Sequence, residues 1–486
     1  MCILNKIKFL VLGVVFHLMI IPAFAQNSTL TVPQLKKDFK VFRGILEEMH
    51  AGIYWYSSKA EMDQAFDQVA QALNKSMTEQ AFFQKLASIT AKIKCGHTWI
   101  ATSKPLRKHL WEHNKLMPVQ VKIVQNKMYC FTNVSDNQAL KPGNEILQIN
   151  HLKVDSLIKL MNYYSPGDGY IDQARVTRVQ RYFPYFYTLY IDQPSQYQIT
   201  FLNKQKQKQT ITLAAEPLQK VLPKRERKRI PLIQLKFIKN PKVAVLKVIG
   251  FDNWKIGKKK YKFKRVLEQC FAKIDSAKVD NLIIDVRNNH GGVEKFGMAL
   301  HAYLTDKPFH FYKGMYFRNK RTKYRRYTST SWLTYQLYKI ALKFDKLNDS
   351  TYALKSDDNM DLYHRAGQSF KGKVYVLINR ESYSTTGDFA AMTHYKKLAT
   401  FVGTETAGGY YGNTSDYEFE VKLPNSKIRV GVPLCRYETN IPMDKKLFGR
   451  GTIPHHRVEP TMEDILNKRD VALEYTLQLI KKIQTK

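Results

Sequence analysis

Four apolar runs in the second half of the chain limit its fold more than any other feature. They read VAVLKVIGF, NLIIDV, KVYVLIN and LATFVG, and begin at residues 243, 281, 373 and 398. None of them alternates apolar with polar residues. A strand with one wet face must alternate, so these runs predict strands buried on both faces and covered by helices. That is an α/β fold built on a largely parallel sheet. Two of the runs open similar units. NLIIDVRNNHGGVEKFGMALHAYL and KVYVLINRESYSTTGDFAAMTHYKKL each read strand, polar turn, helix. Ligands in such sheets sit beyond the carboxyl ends of the strands. The turns at 287–292 and 380–386 are therefore expected to share one cleft.

The first half is organised differently. Residues 31–95 read as three helices, with Leu35, Phe39, Phe42, Leu46 and Met49 at helical spacing. Ser58 with Glu61, and Ser76 with Glu79, read as capping boxes of the second and third helices. The third ends in Lys92 and Lys94, and Cys95-Gly96-His97-Thr98 follows. From 118 to 215 short strands take over: VQVKIV, KMYCFT, YQITFL and KQTITLAA. Between them Pro142-Gly143 predicts a turn, Glu145 to Asn150 a strand and Val154 to Met161 a short helix, followed by an aromatic insert over roughly 162–192.

The first 25 residues carry Lys6 and Lys8, an apolar run and a small-x-small cut site at Ala23-Phe24-Ala25. This is the pattern of a secretory signal peptide cleaved after Ala25. The mature protein is expected to be exported, to the periplasm or beyond, without a membrane span. Four cysteines then remain, Cys95, Cys130, Cys270 and Cys435, with no CxxC or metal spacing. They read as buried free thiols. The formal net charge is +37, concentrated at 224–229, 258–265 and 319–326. Solvated lysine-rich faces account for this without a partner. Among partners, export excludes nucleic acid and leaves an anionic envelope surface or acidic protein.

The chemistry rests on VLINRESYSTTGDFAAM, residues 376–392, where Ser382, Ser384, Thr385 and Thr386 precede a helix. Such a cluster ordinarily caps the helix. A serine nucleophile needs more: a base, oxyanion donors and access to substrate. Ser384 at a strand-to-helix turn is accessible, and Gly291-Gly292 in the companion turn leave room for a carbonyl and offer backbone N–H groups. Local physics does not choose between His97, which follows a glycine at a helix end, and His290, in the glycine turn. No G-x-S-x-G, HExxH, phosphate loop or dinucleotide fingerprint occurs. No metal or nucleotide cofactor is expected.

These stretches resemble the C-terminal processing (tail-specific) serine peptidase family. NLIIDVRNNHGG is similar to its strand-turn motif, VLINRESYSTTGDFA to its nucleophile turn, FVGTETAGG to its V-G-E-x-T-x-G-G strand end, and GRGTIPHHRVEPTMEDI to its C-terminal segment. HAGIYWY and CGHT resemble the helical region of exported members, and LKPGNEILQINHLKV resembles the PDZ pattern. The resemblance implies a crotonase-like core of ββα units at 216–486, a helical region at 26–117 carrying the base, and a PDZ-like module at 118–215. It places the nucleophile on Ser384, with oxyanion donors from Thr385 and from Gly291 or Gly292.

This chain departs from the family's Ser-Lys branch, whose lysine position is Gly409 here. The tricorn-like branch takes its base from the N-terminal region, and His97 fits that role. That branch's glutamate falls on Phe448, so Glu405 is the expected third residue. The expected function is an exported serine endopeptidase acting on unfolded or C-terminally exposed polypeptides. The alternative is a non-catalytic peptide- or lipid-binding relative.

Overall fold

The computed structural model describes residues 29–223, 230–364, 367 and 369–484. Residues 1–25, read above as a signal peptide, and the basic run at 224–229 lie outside the described residues. The four apolar runs form one sheet, in the order Ile233–Ile238, Val243–Val248, Asn281–Asp285, Lys373–Ile378, Thr400–Gly403, His456–Arg457. The first pair is antiparallel and every later pair is parallel. Both faces are covered, as the missing alternation requires. Leu282, Ile284, Val376 and Ile378 pack under the helices Phe263–Ser276, Glu294–Ala302 and Thr385–Tyr395. Ile283, Tyr375, Leu377 and Val402 face the C-terminal helix Val471–Gln484. Helices on both faces free no strand face for water, so all of these residues are buried.

The segment 119–214 forms an antiparallel sheet in the order Lys208–Ala214, Gln196–Leu202, Glu145–Ile149, Lys127–Asn133, Val119–Val124. The aromatic insert is helical, Asp172–Gln180 and Phe183–Tyr190, and buries Phe183 and Tyr187 against that sheet. The N-terminal helices are Val32–Met49, Lys59–Gln71 and Glu79–Lys92. The Ser58–Glu61 capping box is present. The Ser76–Glu79 box is not. Met77–Thr78 instead pairs as a short strand with Thr29–Leu30. This moves the cap to Thr78, whose hydroxyl accepts from the Ala81 N–H at 3.2 Å. Glu79 is thereby released to bind Ser103, N–H and hydroxyl, at 2.7 Å each. Cys95, Cys130, Cys270 and Cys435 are buried and free. Among the described residues no helix is long and apolar enough to cross a membrane.

One three-stranded sheet matters most for the site. Trp99–Ala101, which begins two residues after His97, pairs antiparallel with Arg429–Val432, itself paired with Phe419–Lys422. This ladder fastens the end of the N-terminal helical region to the C-terminal block.

Candidate active site

The Asn281–Asp285 and Lys373–Ile378 strands are neighbours, so the turns beyond them meet. Asn288 and Asn379 clasp the two turns through reciprocal bonds of 3.0 and 2.9 Å, and the Tyr383 N–H donates to the Asn289 carbonyl at 3.0 Å. Ser384 stands at the end of the second turn with φ 56° and ψ −132°. A non-glycine residue rarely occupies such a conformation, and its cost is usually met where the side chain has a use. Ser384 holds the cap position of the Thr385–Tyr395 helix, yet its side chain makes no capping bond. Its Oγ lies 3.2 Å from Nε2 of His97.

The other hydroxyls of the cluster serve the turn or stand alone. Ser382 Oγ donates to the Val286 carbonyl and accepts from the Asn379 N–H. Thr385 Oγ1 donates to the Gly292 carbonyl at 2.6 Å, and Thr386 Oγ1 is buried without a partner.

His97 is half-buried and held from both sides. The preceding Gly96 gives its N–H to Asp168 at 2.7 Å, and its carbonyl accepts from Arg178 at 2.9 Å. The Thr98 hydroxyl meets Nε2 of the buried His50 at 2.6 Å. His50 accepts a backbone N–H at Nδ1, so its proton sits on Nε2 and it donates to Thr98. Nδ1 of His97 faces the Tyr383 hydroxyl at 2.8 Å, and the two rings stack. Burial, helped by the Arg178 cation, pushes the His97 ring down to about 3. The ring is therefore neutral at physiological pH and able to accept a proton.

His290 is not at the serine. It is exposed and stands 3.9 Å from Glu381. Of the two histidines that local sequence left open, only His97 contacts Ser384.

Glu405 requires a correction. Its carboxylate is held by Arg450, at 2.9 and 2.6 Å, and by the Gly451 N–H. It has no contact with His97, whose ring nitrogens are already engaged by Ser384 and Tyr383. Glu405 was expected because it stands just past a core strand, but that strand end points its carboxylate at the Arg450 loop. Asp388, four residues after Ser384, points away as well. It accepts from Tyr312 and Asn413 at 2.8 and 2.9 Å.

The expected oxyanion groups cluster at the serine. A Cβ added to Gly291 would sit 2.7 Å from Ser384 Cβ and 3.0 Å from the Thr385 nitrogen. The Gly291 N–H is committed, however, donating to Asn289 Oδ1 at 2.9 Å. The N–H groups of Thr385 and Gly292 have no acceptor among the described residues. At Gly409 a side chain would begin 2.8 Å from the Gly412 carbonyl and 3.1 Å from the Tyr56 hydroxyl, so that position has no room for a lysine.

Asp168, Tyr383 and Arg178 were not singled out by the sequence. Tyr383 is the neighbour of Ser384 in the quoted turn, and Asp168 lies in the glycine turn at 165–169, SPGDG, of the aromatic insert. Cys95, His97 and Asp168 place one ligand-type atom each within 4.8 Å of one another. They suit a metal poorly. Burial raises the Cys95 thiol to about 12, and its Sγ–H is given to the Thr414 carbonyl. A metal would need the thiolate.

A family model described as peptidase family S41 matches residues 242–457. This segment belongs to peptidase family S41. Membership supports a serine peptidase function, with polypeptides as substrates. In fold the chain is similar to mature CPAF complexed with lactacystin, with a TM-score of 0.62 at 14% identity over 93% of this chain and 98% of that one. Mature CPAF gives 0.61 at 15% identity over 93% and 97%. A peptidase-like structure from Parabacteroides merdae gives 0.44 at 16% identity over 92% and 96%. No curated protein matches the chain in sequence. The S41 segment supplies Ser384, Tyr383 and the glycine turn. His97, Asp168 and Arg178 come from outside it.

Proposed function

We propose that the protein is an exported serine endopeptidase cleaving unfolded or C-terminally exposed polypeptides. In this reading Ser384 is the nucleophile and His97 its base. The observation that carries it is the 3.2 Å contact between Ser384 Oγ and His97 Nε2, made by a serine in a strained backbone conformation with no capping bond. Nε2 takes the Ser384 proton as Oγ attacks a peptide carbonyl. The N–H groups of Thr385 and Gly292 receive the developing oxyanion, and His97 then protonates the leaving amine. Thr385 is the first residue of its helix, so its N–H belongs to the positive end of that dipole.

The remaining assignments extend this reading. The parallel sheet with its covering helices acts as a crotonase-like core. The sheet at 119–214 acts as a PDZ-like module that presents chain ends to Ser384, in the manner of strand addition to a sheet edge. The lysine-rich faces suit an anionic envelope surface.

The second reading, a non-catalytic relative, is favoured by the committed Gly291 N–H and by the absence of a carboxylate bonded to His97. Incubation of the purified protein with unfolded casein over a broad pH range separates the two. The peptidase reading expects fragments that disappear in Ser384→Ala. Intact casein beside a natively folded protein would favour the binding reading.

A further inference from the structure

Asp168 is 2% exposed. Its Oδ1 accepts the Gly96 N–H, while its Oδ2 is buried without a hydrogen bond of good geometry, the Gly409 N–H being the other backbone donor that faces the carboxylate. Buried carboxylate oxygens are ordinarily paired, so this one asks for a donor. The carboxylate, the Cys95 sulfur and a His97 ring nitrogen lie within 4.8 Å of one another. Cys95 is not the donor, because its proton goes to Thr414.

Proton bookkeeping points to Tyr383. For Nε2 of His97 to accept from Ser384, the ring proton must sit on Nδ1. Nδ1–H then donates to the Tyr383 oxygen at 2.8 Å. The tyrosine's own proton is thereby turned away from His97 and needs an acceptor. The Tyr383 hydroxyl and the Asp168 carboxylate flank one point. A Cβ built on Gly96 would sit 2.4 Å from the first and 3.3 Å from Asp168 Oδ1. In the opposite arrangement Tyr383 donates to Nδ1, the ring proton moves to Nε2, and His97 offers Ser384 a donor instead of an acceptor. That arrangement cannot activate the serine.

We propose that Asp168 is the positioning carboxylate of the Ser384–His97 pair: it accepts a hydrogen bond from the Tyr383 hydroxyl, which keeps its proton, and so locks the imidazole in the Nδ1–H tautomer. The proposal rests on the peptidase reading for its catalytic consequence, but the tautomer itself does not require turnover. It also explains why His97 needs no direct carboxylate partner. The carboxylate acts through the hydroxyl that lies between.

The lock needs an ionised Asp168. Burial raises this carboxyl to about 6, opposed by the Gly96 and Gly409 N–H groups and by the Arg178 and Arg175 cations. The other titratable groups that face it are Cys95, His97, Tyr56, Tyr383 and Asp388. The cysteine and both tyrosines are raised out of the neutral range, and His97 is lowered out of it. Asp388, raised to about 7, is tied to Tyr312 and Asn413 and has no hydrogen bond to His97. The tautomer is therefore expected to change near pH 6, well before the ring itself protonates.

Nitrogen-15 NMR of ring-labelled histidine tests this on the full chain, with His97 assigned by difference from His97→Gln. The expected result is an Nδ1–H tautomer at pH 8 that gives way to Nε2–H as the pH falls through about 6. Asp168→Asn should show the Nε2–H form at every pH and lower turnover by about 10²- to 10⁴-fold, the scale of a misoriented base. Asp168→Glu should restore the Nδ1–H form in part. A ring that holds one tautomer from pH 8 to pH 5 in the unsubstituted protein overturns the proposal, whether or not any variant folds. So does an unchanged tautomer in folded Asp168→Asn. If the unsubstituted protein cleaves no casein while the tautomer responds as expected, the peptidase reading fails and the lock stands.

Discussion

Gly431 pairs with Trp99 across the ladder that ties the loop of His97 to the S41 segment, and the two touch more closely than any side chain at 431 would allow. A Cβ at 431 would fall 2.0 Å from the indole nitrogen, which itself donates to Glu418 at 2.7 Å. His97 and Ser384 are 287 residues apart. This short sheet is one of the ties that align them, beside the Gly96 bonds to Asp168 and Arg178. Gly431→Val should displace Trp99 and with it His97. A misplacement of about 1 Å costs on the order of 10² in rate. Turnover on a short peptide should fall on that scale, with overpacking costing about 1–3 kcal/mol of stability in a urea titration. Full activity in the valine variant would show that the ladder does not set the position of His97.

The lysine of the Ser-Lys branch cannot be restored at Gly409. The Gly412 carbonyl and the Tyr56 hydroxyl fill the space a side chain would enter. Gly409→Lys is expected to destabilise the fold by about 1–3 kcal/mol, and to leave His97→Ala as inactive as before. Recovery of turnover in the double variant would mean that the loop can open to admit a second kind of base.

The acidic groups around the buried Asp388 give stability a pH dependence of definite sign. Burial raises Asp388 to about 7, and burial with the Asp416 charge raises Glu294 to about 8. A carboxyl raised on folding contributes stability that is fully present below its unfolded value of about 4, and that is lost as the pH rises through the folded one. Stability should therefore decline between about pH 4 and pH 8 through these two groups. Asp388→Asn keeps an oxygen for Tyr312 and Asn413 and removes one of the two titrations. Urea midpoints at pH 5 and pH 8.5 should differ less in the variant than in the unsubstituted protein. An equal or larger difference would place the titration elsewhere.

The apolar runs carried the central sheet, because burial on both faces leaves a mark on every residue of a strand. The meeting of the two turns followed from strand order alone. The site was legible only where it is local. Ser384 and the glycine turn stand at strand ends, and the motif that places them is short. The choice between His97 and His290 was not legible, since it depends on a ladder between Trp99–Ala101 and Arg429–Val432 that neither segment announces. Glu405 was misread because a strand end gives a side chain's position and not its direction, and Arg450 captures it. Asp168 left no signal beyond a glycine-rich turn. Its role comes from an unpaired oxygen that exists only once the insert is folded against Gly96.

Removal of the His97 ring separates catalysis from folding. His97 lies in a loop whose backbone is fixed by Asp168 and Arg178, and not by the ring. His97→Ala should thus lower turnover by about 10²- to 10⁴-fold, with little change in the thermal unfolding midpoint. Activity within twofold of the unsubstituted protein would show that His97 is not the base.

The central claim is that Ser384 is a nucleophile activated by His97. The most direct measurement is reaction with a fluorophosphonate probe followed by mass mapping of the adduct. The account predicts a single adduct on Ser384, none in Ser384→Ala, and much slower labelling in His97→Ala. Equal labelling of Ser384→Ala, or an adduct on Ser382, Thr385 or Thr386, would contradict it.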